Sequence, residues 1–196
     1  AILTAGRTDL FEKCVDYLLL QMQPEFRIQV FNNGKPSPEY DRIYKKLPAG
    51  SLVKSTQNNV GYPMGANTVI KMGNASLVLF ISDDIFVHDG AIQALIDRMK
   101  SDETIALCGY KLLFPLDSED VNRPARKIQH IGMASNIRGD MIHPLIGWSS
   151  ENTKCNISQE VLAVTGASFI VRRSIFKQVS GFDTSYGRGS GIRRGV

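Results

Sequence analysis

One apolar segment limits the folds open to this chain more than any other part of its sequence. Leu77–Ile81 is an unbroken run of leucine, valine, phenylalanine and isoleucine within a nearly apolar stretch, residues 75–82. The run is far too short to cross a bilayer, which takes about 20 residues in a helix. A strand that is apolar on both faces belongs in the middle of a parallel sheet covered by helices. The segment therefore predicts an α/β protein with a buried central strand.

Strand and helix patterns alternate on both sides of this segment. We predict that Asp9 caps a first helix, which runs to Met22 and ends before Pro24. Residues 35–50 are rich in proline and glycine and are expected to form a loop. The remaining elements are predicted as strands at 1–4, 26–31, 52–54, 105–110, 161–165 and 169–171, helices at 63–72, after Gly90 and at 173–179, and loops with short antiparallel strands across 111–160.

This order predicts an open, mostly parallel sheet with helices on both faces, followed by a smaller mixed subdomain. We interpret the chain as a single domain, 1–196, with a first half at 1–110 and a second half at 111–196. Ligands of open sheets bind outside the carboxyl ends of the strands. Three polar strand ends are therefore expected to converge on one crevice: the turn at 5–7, the turn at 32–34 and the pair Asp83-Asp84.

Composition and charge exclude several functions. The chain has 196 residues, of which 43% are hydrophobic and 21% charged, as expected for a globular domain. Part of its net charge of +4 comes from a short glycine-rich tail with Arg188, Arg193 and Arg194. Without a basic patch interleaved with aromatics, no nucleic-acid partner is expected. The three cysteines are widely spaced, which indicates a reducing compartment, and no export signal is visible. We expect a cytoplasmic location, including the inner face of a membrane, and no transmembrane segment.

Two carboxylates, Asp83 and Asp84, follow the central strand directly. Adjacent side chains on a strand point to opposite sides, but at a strand end one can face the crevice while the other contacts a neighbour. Two charges beside a buried strand are costly unless they are paired or bound to a metal. Mg²⁺ or Mn²⁺ takes one or two carboxylates and fills its other positions with phosphate and water. The alternative is that both residues cap the helix that follows His88.

Several segments in a consistent order resemble the family 2 glycosyltransferases of the GT-A fold, from residue 1 to about residue 187. The central one is Ser82-Asp83-Asp84, which is similar to the "D-x-D" metal motif of that family. No single segment is specific, but their order and spacing together are. The other segments that carry the resemblance are Ile2-Leu3-Thr4, Val30-Phe31-Asn32-Asn33-Gly34, Asn59-Val60-Gly61 with Asn67, Gln129-His130-Ile131-Gly132, His143 with Gly147-Trp148, Val164-Thr165-Gly166-Ala167 and Gly181-Phe182-Asp183.

The resemblance implies a Rossmann-like GT-A fold, with a nucleoside-diphosphate sugar bound by residues 1–110 and an acceptor bound by residues 111–196. It implies that Asp84 ligates Mn²⁺ or Mg²⁺, while Ser82 and Asp83 contact ribose or sugar hydroxyls. The other implied roles are base and ribose contacts for Thr4, Ala5 and Arg7, a base contact for Asn32, backbone approach to the donor at Gly61, orientation of that loop by Asn67, the sugar pocket at Gly166, and catalytic candidates on the acceptor side at Asp183 and His143.

The second half contains two histidines that fit the resemblance. His143 is the better functional candidate, because it precedes Gly147 and Trp148 in a loop where acceptor contacts would lie. His130 is interpreted as a structural histidine whose ring nitrogens are satisfied within the fold. Two interpretations of Trp148 stay open: a platform that stacks on a sugar, or a core residue of the subdomain.

The resemblance also implies a reaction, the inverting transfer of a sugar from a nucleoside diphosphate to a hydroxyl of a glycan, lipid or protein. A metal would neutralise charge on the leaving diphosphate, and a general base would take the proton of the acceptor hydroxyl. The family supplies that base from an acidic motif after the Gly-Phe-Asp segment, whereas no carboxylate follows Asp183 here. We therefore expect the chain to bind donor and metal and to transfer sugar poorly.

Two other functions stay open. A sugar-1-phosphate nucleotidyltransferase uses a similar sheet, but it opens with a glycine-rich loop and a basic residue for the triphosphate. Ala5-Gly6-Arg7 is a poor version of that loop. A domain that binds a nucleotide sugar without catalysis would also explain the missing acidic motif. Pyrophosphate release would favour the first function, and donor binding without product formation would favour the second.

Overall fold

The protein forms two compact units in the computed structural model, which describes residues 1–115, 118 and 120–187. The first unit consists of Ala1–Leu107 and the chain from Ile170 onward, and the second unit is Cys108–Phe169. The sequence analysis treats the chain as a single domain with halves at 1–110 and 111–196. The return of the chain to the first unit at Ile170 is not predicted. The basic tail with Arg188, Arg193 and Arg194 lies outside the described residues.

A six-stranded sheet is the centre of the fold. Its strands are β1 (Ile2–Thr4), β2 (Gln29–Asn32), β3 (Leu52–Ser55), β4 (Leu77–Ser82), β5 (Leu107–Gly109) and β10 (Ser168–Arg172). They lie in the order β3-β2-β1-β4-β10-β5. β1 pairs in parallel with β2 and with β4, and β2 pairs in parallel with β3. The predicted α/β architecture with a mostly parallel sheet is thereby confirmed.

The strand order reverses at β1, and this reversal determines where a ligand can bind. The chain passes from β1 to β2 and β3 on one side, and then returns to place β4 on the other side of β1. Because the connections leave in opposite directions, a crevice opens at the carboxyl ends of the two central strands. Thr4 ends β1 and Ser82 ends β4. The polar residues after these two positions therefore lie at the switch point of the sheet.

Helices cover both faces of the sheet beside the crevice. The helices are α1 (Thr8–Leu19), α2 (Pro38–Tyr44), α3 (Tyr62–Val69), α4 (Ala91–Ser101) and α5 (Arg173–Gln178). A Cβ at Gly65 of α3 would lie only 3.0 Å from Leu3 and 3.2 Å from Phe31, so a glycine permits the close approach of helix and sheet. Tyr40 of α2 instead contacts Thr4. Since adjacent strand residues face opposite sides, α2 and α3 cover opposite faces.

Three local predictions are wrong. The first helix begins at Thr8 and ends at Leu19, so Asp9 lies in its first turn and is not its cap. The predicted loop at 35–50 contains α2, whose first residue is a proline that suits the start of a helix. Residues 161–165 form no strand; they contribute one isolated bridge, between Met133 and Ala163.

The second unit contains short antiparallel pairs, as predicted for this part of the chain. β6 (Leu112–Leu113) pairs with β7 (Ile128–His130), and β8 (Ala134–Ser135) pairs with β9 (Met141–Ile142). Its buried side chains include Leu112, Phe114, Ile128, His130 and Cys155.

Over residues 1–115, 118 and 120–187, no helix has the length and apolar character needed to cross a bilayer.

Candidate functional site

The loops after β1 and β4 meet at the switch point through the two carboxylates. The backbone N–H of Ala5 donates to Oδ2 of Asp83 at 3.2 Å. Nη2 of Arg7 lies 2.7 Å from Oδ2 of Asp84 and 3.9 Å from Oδ1 of Asp83. The side chain of Asp83 is 12% exposed and that of Asp84 is 43% exposed. One carboxylate therefore faces the neighbouring loop and the other faces solvent, as the strand-end geometry predicts.

Neither carboxylate caps the following helix. α4 begins at Ala91, and its N-cap is Gly90, in the left-handed conformation with φ of 75°. Asp83 and Asp84 are bonded to the loop after β1 instead. The helix-cap alternative is therefore excluded, and the pair is left for a role in the crevice.

The cluster has the charge and the ligand chemistry for a divalent cation. Two carboxylates face one guanidinium, Arg7, so the cluster carries one excess negative charge. Carboxylate oxygens suit Mg²⁺ and Mn²⁺. In the described part of the chain no group of three or more His, Cys, Asp or Glu side chains forms a metal site. The residues present fit a cation that takes one or two ligands from the protein and the others from phosphate and water. Arg7 is bound to Asp84, which is one of the two carboxylates that such a cation would use.

Burial raises the pKa of Asp83 above its ordinary value, because the charged form loses hydration. Hydrogen bonds from Thr4 and Ala5 and the charge of Arg7 act in the opposite direction and are smaller effects, and the charge of Asp84 adds to the rise. Functional sites often contain a carboxyl group whose charged form is disfavoured by burial, and Asp83 is such a group at a strand end.

The stability of the protein should depend on pH through Asp83. Because its folded pKa is raised, the folded state binds the proton more tightly, and stability is lost as pH rises from below 3.8 through the raised value. We expect Asp83→Asn to remove this loss, so that the variant gains stability relative to the wild type over that interval. Urea unfolding at several pH values in the presence of a chelator measures the difference.

Asp102→Asn is the matched control for this prediction. Hydrogen bonds from Thr104 lower the pKa of Asp102, so its contribution is lost as pH falls through the folded pKa. The two variants should therefore show opposite pH trends relative to the wild type. An Asp83→Asn difference that does not change with pH would contradict the assignment.

Tyr40 holds the loop after β1 in place. Its hydroxyl lies 2.9 Å from Oγ1 of Thr4 and accepts from the backbone N–H of Gly6 at 2.7 Å. The tyrosine is 2% exposed, and its ring lies 5.7 Å from that of Phe11. Sequence reasoning missed this residue because α2 was predicted as loop. The signal for it was Ser37-Pro38 as a helix start, followed by Tyr40, Ile43 and Tyr44 at helical spacing.

We expect Tyr40→Phe to destabilise the protein by about 1–2 kcal/mol, the usual effect of removing one partner from a buried hydrogen-bonded group. The loop at 5–7 loses its anchor, so donor binding should weaken as well. Thermal unfolding and nucleotide titration measure the two effects. Tyr17→Phe is the control, since Tyr17 is 44% exposed and water can replace its hydroxyl contacts; equal effects of the two variants would contradict the anchoring role.

The end of β2 joins the crevice through Asn33. The backbone N–H of Asn33 donates to O of Thr4 at 2.7 Å. Its side chain donates to O of Gly61 at 3.1 Å and accepts from the backbone N–H of Val60 at 2.8 Å. Gly61 is buried, has φ of 86° and is the N-cap of α3. Asn33, which the sequence analysis counted only as a turn residue, therefore connects the loops after β1 and β2 with the start of α3.

Asn32 lies on the face of the sheet that α2 covers, because it pairs with Thr4 in register. It is fully buried. Its side chain is therefore not at the surface of the crevice, where the resemblance implied a base contact.

Asn67 binds the returning chain and not the loop at Gly61. Its side-chain amide donates to O of Phe182 at 2.8 Å and accepts from the N–H of Phe182 at 2.9 Å. Phe182 packs on Tyr62, with ring centroids 5.6 Å apart. The segment that ends in Asp183 is thereby fixed to α3. Oδ1 of Asp183 accepts from the N–H of Ser185 at 2.8 Å. Hydrogen bonds with the backbone and the side chain of Ser185 lower the pKa of Asp183. Asp183 is therefore a weak proton acceptor.

The second unit brings His143 and the segment at Thr165-Gly166 together through His130. Nδ1 of His130 lies 2.9 Å from Nδ1 of His143, and Nε2 of His130 accepts from the N–H of Thr165 at 3.2 Å. His130 is 1% exposed, so both of its ring nitrogens are satisfied in the core, as expected for a structural histidine. Trp148 is 42% exposed, which excludes a core role for it.

Comparisons with known proteins give a family match and a curated relative. The sequence profile of "Glycosyl transferase family 2" matches residues 2–180. A curated relative, the O-antigen biosynthesis protein RfbC of Myxococcus xanthus, is 29% identical over 190 residues, which cover 92% of this chain and 14% of that protein. The chain therefore spans a small part of that relative.

Solved structures share the fold at low sequence identity. The mannosyltransferase PcManGT from Pyrobaculum calidifontis, in complex with GDP-Man and Mn²⁺, superposes with a TM-score of 0.59 at 11% identity over 93% of this chain and 47% of its own. TarS 1–349 of S. aureus in complex with UDP gives a TM-score of 0.59 at 14% identity over 94% of this chain and 49% of its own. The fold predicted from the resemblance is confirmed, and the chain spans about half of each structure.

Proposed function

Since the chain belongs to glycosyl transferase family 2 and is a glycosyltransferase domain, we propose that it binds a nucleoside-diphosphate sugar in the crevice between β1 and β4. The proposed reaction is transfer of the sugar to a hydroxyl acceptor with inversion, supported by Mn²⁺ or Mg²⁺. We propose the same donor and the same reaction for any longer protein that contains this chain.

The contact of Arg7 with the two carboxylates is the observation that carries the proposal. It lies where the strand order reverses, which is the usual ligand position in an open α/β sheet. It combines the guanidinium of Arg7, 2.7 Å from Asp84, with two carboxylates, so the three side chains together carry one excess negative charge. A diphosphate and a divalent cation satisfy both parts of such a cluster, because the guanidinium binds phosphate oxygens and the carboxylates bind the metal.

In this proposal each loop has a separate role. Asp84 is the metal ligand, because its carboxylate is the more exposed of the pair. Asp83 stays bonded to Ala5 and keeps the loops after β1 and β4 together, and its contact with ribose or sugar hydroxyls is part of the proposal. Arg7 moves from Asp84 to the diphosphate when the donor binds. A bound divalent cation neutralises charge that develops on the leaving diphosphate.

The known complexes support a nucleotide-sugar donor. PcManGT has been solved with GDP-Man and Mn²⁺, and TarS with UDP-GlcNAc and with UDP. We extend to this chain the shared chemistry, a nucleoside diphosphate that carries a sugar, and leave the base and the sugar to experiment. Ala5, Arg7, Gly61 and Ser82 are the proposed donor contacts.

The acceptor base is not assigned to Asp183. Its carboxylate binds the N–H of Ser185 and its pKa is lowered, whereas a base for a hydroxyl proton works best with a pKa near the operating pH. Asp183 is proposed instead to order the 3-10 turn at Thr184–Tyr186.

Calorimetric titration with UDP and GDP, each with Mn²⁺ and with a chelator, tests the donor site. We expect saturable binding of at least one nucleotide that weakens when the chelator replaces Mn²⁺. A product assay with the matching nucleotide sugars then separates an enzyme from a domain that only binds the donor. Absence of binding for both nucleotides with Mn²⁺ would falsify the proposal.

A further inference from the structure

Two buried polar groups lie between α2 and the sheet, and neither makes a hydrogen bond. Among the described residues, Nδ2 and Oδ1 of Asn32 and the hydroxyl oxygen of Tyr44 have no partner. Asn32 is fully buried, so bulk water does not reach its amide. Buried polar groups without a partner are rare in native proteins, and each one destabilises the state that contains it. The closed position of α2 is therefore less stable than its apolar contacts alone would make it.

Asn32 belongs to a polar row at the carboxyl ends of three strands. It pairs in register with Thr4 of β1 and Ser55 of β3, and residues in register on parallel strands face the same side of the sheet. We call these three residues the covered row. The hydroxyl of Tyr40 in α2 lies 2.9 Å from Oγ1 of Thr4. Burial raises the pKa of Tyr44, and the neighbouring Ser55 and Asn32 counteract part of this rise, so α2 also lies against the other two residues of the row.

The outer side of α2 is attached to α1 by exposed ion pairs. Arg42 pairs with both carboxylate oxygens of Glu12. Lys46, in the turn after α2, lies 2.8 Å from Glu12 and 2.8 Å from Asp16. The side chain of Arg42 is 59% exposed and that of Asp16 is 52% exposed. Ion pairs with this exposure contribute little to stability and are weakened by salt, so they hold α2 only loosely.

The remaining attachments of α2 are also limited. The helix has seven residues and buries Tyr40 and Ile43, whereas α1 has twelve residues and buries four. Gly34 lies between β2 and α2, and Gly50 lies between α2 and β3. Gly50 has φ of 85° and no atom within 4 Å of its Cβ position, so this connection can absorb a backbone rotation. A short helix with few buried side chains is the kind of segment that opens locally.

We propose that α2 is a hinged cover, closed on its outer side by exposed ion pairs, which opens to expose the covered row and is held closed by the bound donor. Opening gives water to the two unpartnered groups, which offsets part of the loss when the buried side chains of α2 leave the core. The coupling to the donor runs through Tyr40, which accepts from the N–H of Gly6 in the loop at 5–7. This coupling rests on the proposed function, whereas the opening itself does not.

Amide hydrogen exchange of the 196-residue chain, resolved by NMR, measures the opening. The amides of residues 42–45 report on α2, and those of residues 14–18 report on α1. When closing is faster than exchange, the exchange rate is proportional to the population of the open form. We expect residues 42–45 to exchange about a hundredfold faster than residues 14–18. Equal rates in the two helices overturn the proposal, because α2 would then open only together with α1.

Two neighbouring asparagines decide whether the missing partners favour opening. Asn32→Leu removes an unpartnered amide from the closed state, so the exchange of α2 should slow about tenfold. Asn33→Leu removes an amide that is bonded to Gly61 and Val60, so it should lower the stability measured by urea unfolding and should not slow the exchange of α2. Unchanged or faster exchange in Asn32→Leu overturns the proposal, because the amide would then be satisfied by water in the closed state.

The two tyrosines of α2 form a second matched pair, in which each substitution removes one oxygen and leaves the ring in place. Tyr44→Phe removes an unpartnered hydroxyl and should slow the exchange of α2 by about tenfold. Tyr40→Phe removes a hydroxyl that is bonded to Thr4 and Gly6, so it should make the exchange faster. A change in the same direction in both variants contradicts the cover.

Glu12→Gln tests the outer attachment of the cover. The variant weakens the ion pairs with Arg42 and Lys46, so the exchange of α2 should become about two- to fivefold faster, and added salt should have less effect than in the wild type. Glu25→Gln is the control, since Glu25 is an exposed carboxylate outside this cluster. Equal effects of the two substitutions overturn the role of the ion pairs.

Nucleotide separates a failure of the coupling from a failure of the proposed function. With saturating UDP or GDP and Mn²⁺, the exchange of α2 should slow about tenfold or more, because the ligand binds the closed form. If calorimetry shows binding and the exchange of α2 does not change, the coupling is wrong and the proposed function stands. If neither nucleotide binds, the proposed function and the coupling are both wrong, while the exchange of the unliganded variants still decides whether α2 is a cover.

Discussion

Replacing Asp84 by alanine is expected to reduce Mn²⁺-dependent nucleotide binding to the level seen with a chelator. Asp84 is the exposed carboxylate of the pair at the switch point of the sheet, and its substitution removes the proposed metal ligand. Metal stabilisation of a leaving diphosphate is worth several kcal/mol, so any transferase activity should fall by about 10²- to 10³-fold. The binding is measured by calorimetry with UDP and GDP, and the activity by product formation.

Asp89→Ala is the matched control for this experiment, because Asp89 is an exposed carboxylate five positions further along the chain. Its removal should leave the metal dependence unchanged. Arg7→Ala provides a second comparison, since Arg7 is bound to the same carboxylate. Without the arginine, the metal alone should bind more tightly while the nucleotide binds more weakly. An Asp84→Ala variant that keeps the full Mn²⁺ effect would place the metal elsewhere.

Replacing Gly181 by alanine is expected to destabilise the first unit by about 3 kcal/mol, from backbone strain and overpacking together. Gly181 has φ of 74°, and a Cβ at this position would lie 2.9 Å from Cε1 of Phe176 and closer still to Oδ1 of Asn67. That oxygen accepts from the N–H of Phe182, so it cannot move away without loss of a hydrogen bond. Urea unfolding followed by circular dichroism measures the change.

Gly50→Ala separates strain from collision in this prediction. Gly50 also has a positive φ, of 85°, but no atom lies within 4 Å of its Cβ position. Its substitution should therefore cost only the backbone strain, about 1–2 kcal/mol. Equal losses for the two variants would show that the collision of the new Cβ with Asn67 and Phe176 adds nothing to the cost of the Gly181 substitution.

The central strand and its carboxylates could be predicted because their signals are local. A run that is apolar on both faces has few structural solutions, and β4 (Leu77–Ser82) forms where that run predicts a strand. The position of Asp83 and Asp84 at the carboxyl edge of the sheet, where open sheets usually bind their ligands, then followed from the end of that strand. The contact of Asp84 with Arg7 depends on the pairing of β1 with β4, and no local pattern encodes that pairing.

The parts that could not be predicted depend on contacts between distant segments. Helix α2 is short, and the proline and glycine content around it outweighed the helical spacing of its aromatic residues. Asn33 was recognised as a turn residue, but its second role needs the loop that contains Gly61 to lie beside it. Asn67 was assigned to that loop, and the folded chain uses it for Phe182. In each case tertiary packing decided the use of a side chain that local rules allow in several roles.

The bond between Asn67 and Phe182 has a consequence for biosynthesis. Its two partners are 115 positions apart in the chain, and the whole of Cys108–Phe169 lies between them. A ribosome that adds about 5–20 residues per second exposes α3 for several seconds before its partner segment emerges. During that interval the ring of Tyr62 lacks its contact with Phe182. The whole of the second unit is therefore synthesised before the segment that contains Phe182 can dock on α3. We expect this docking to be a late step in the folding of the first unit.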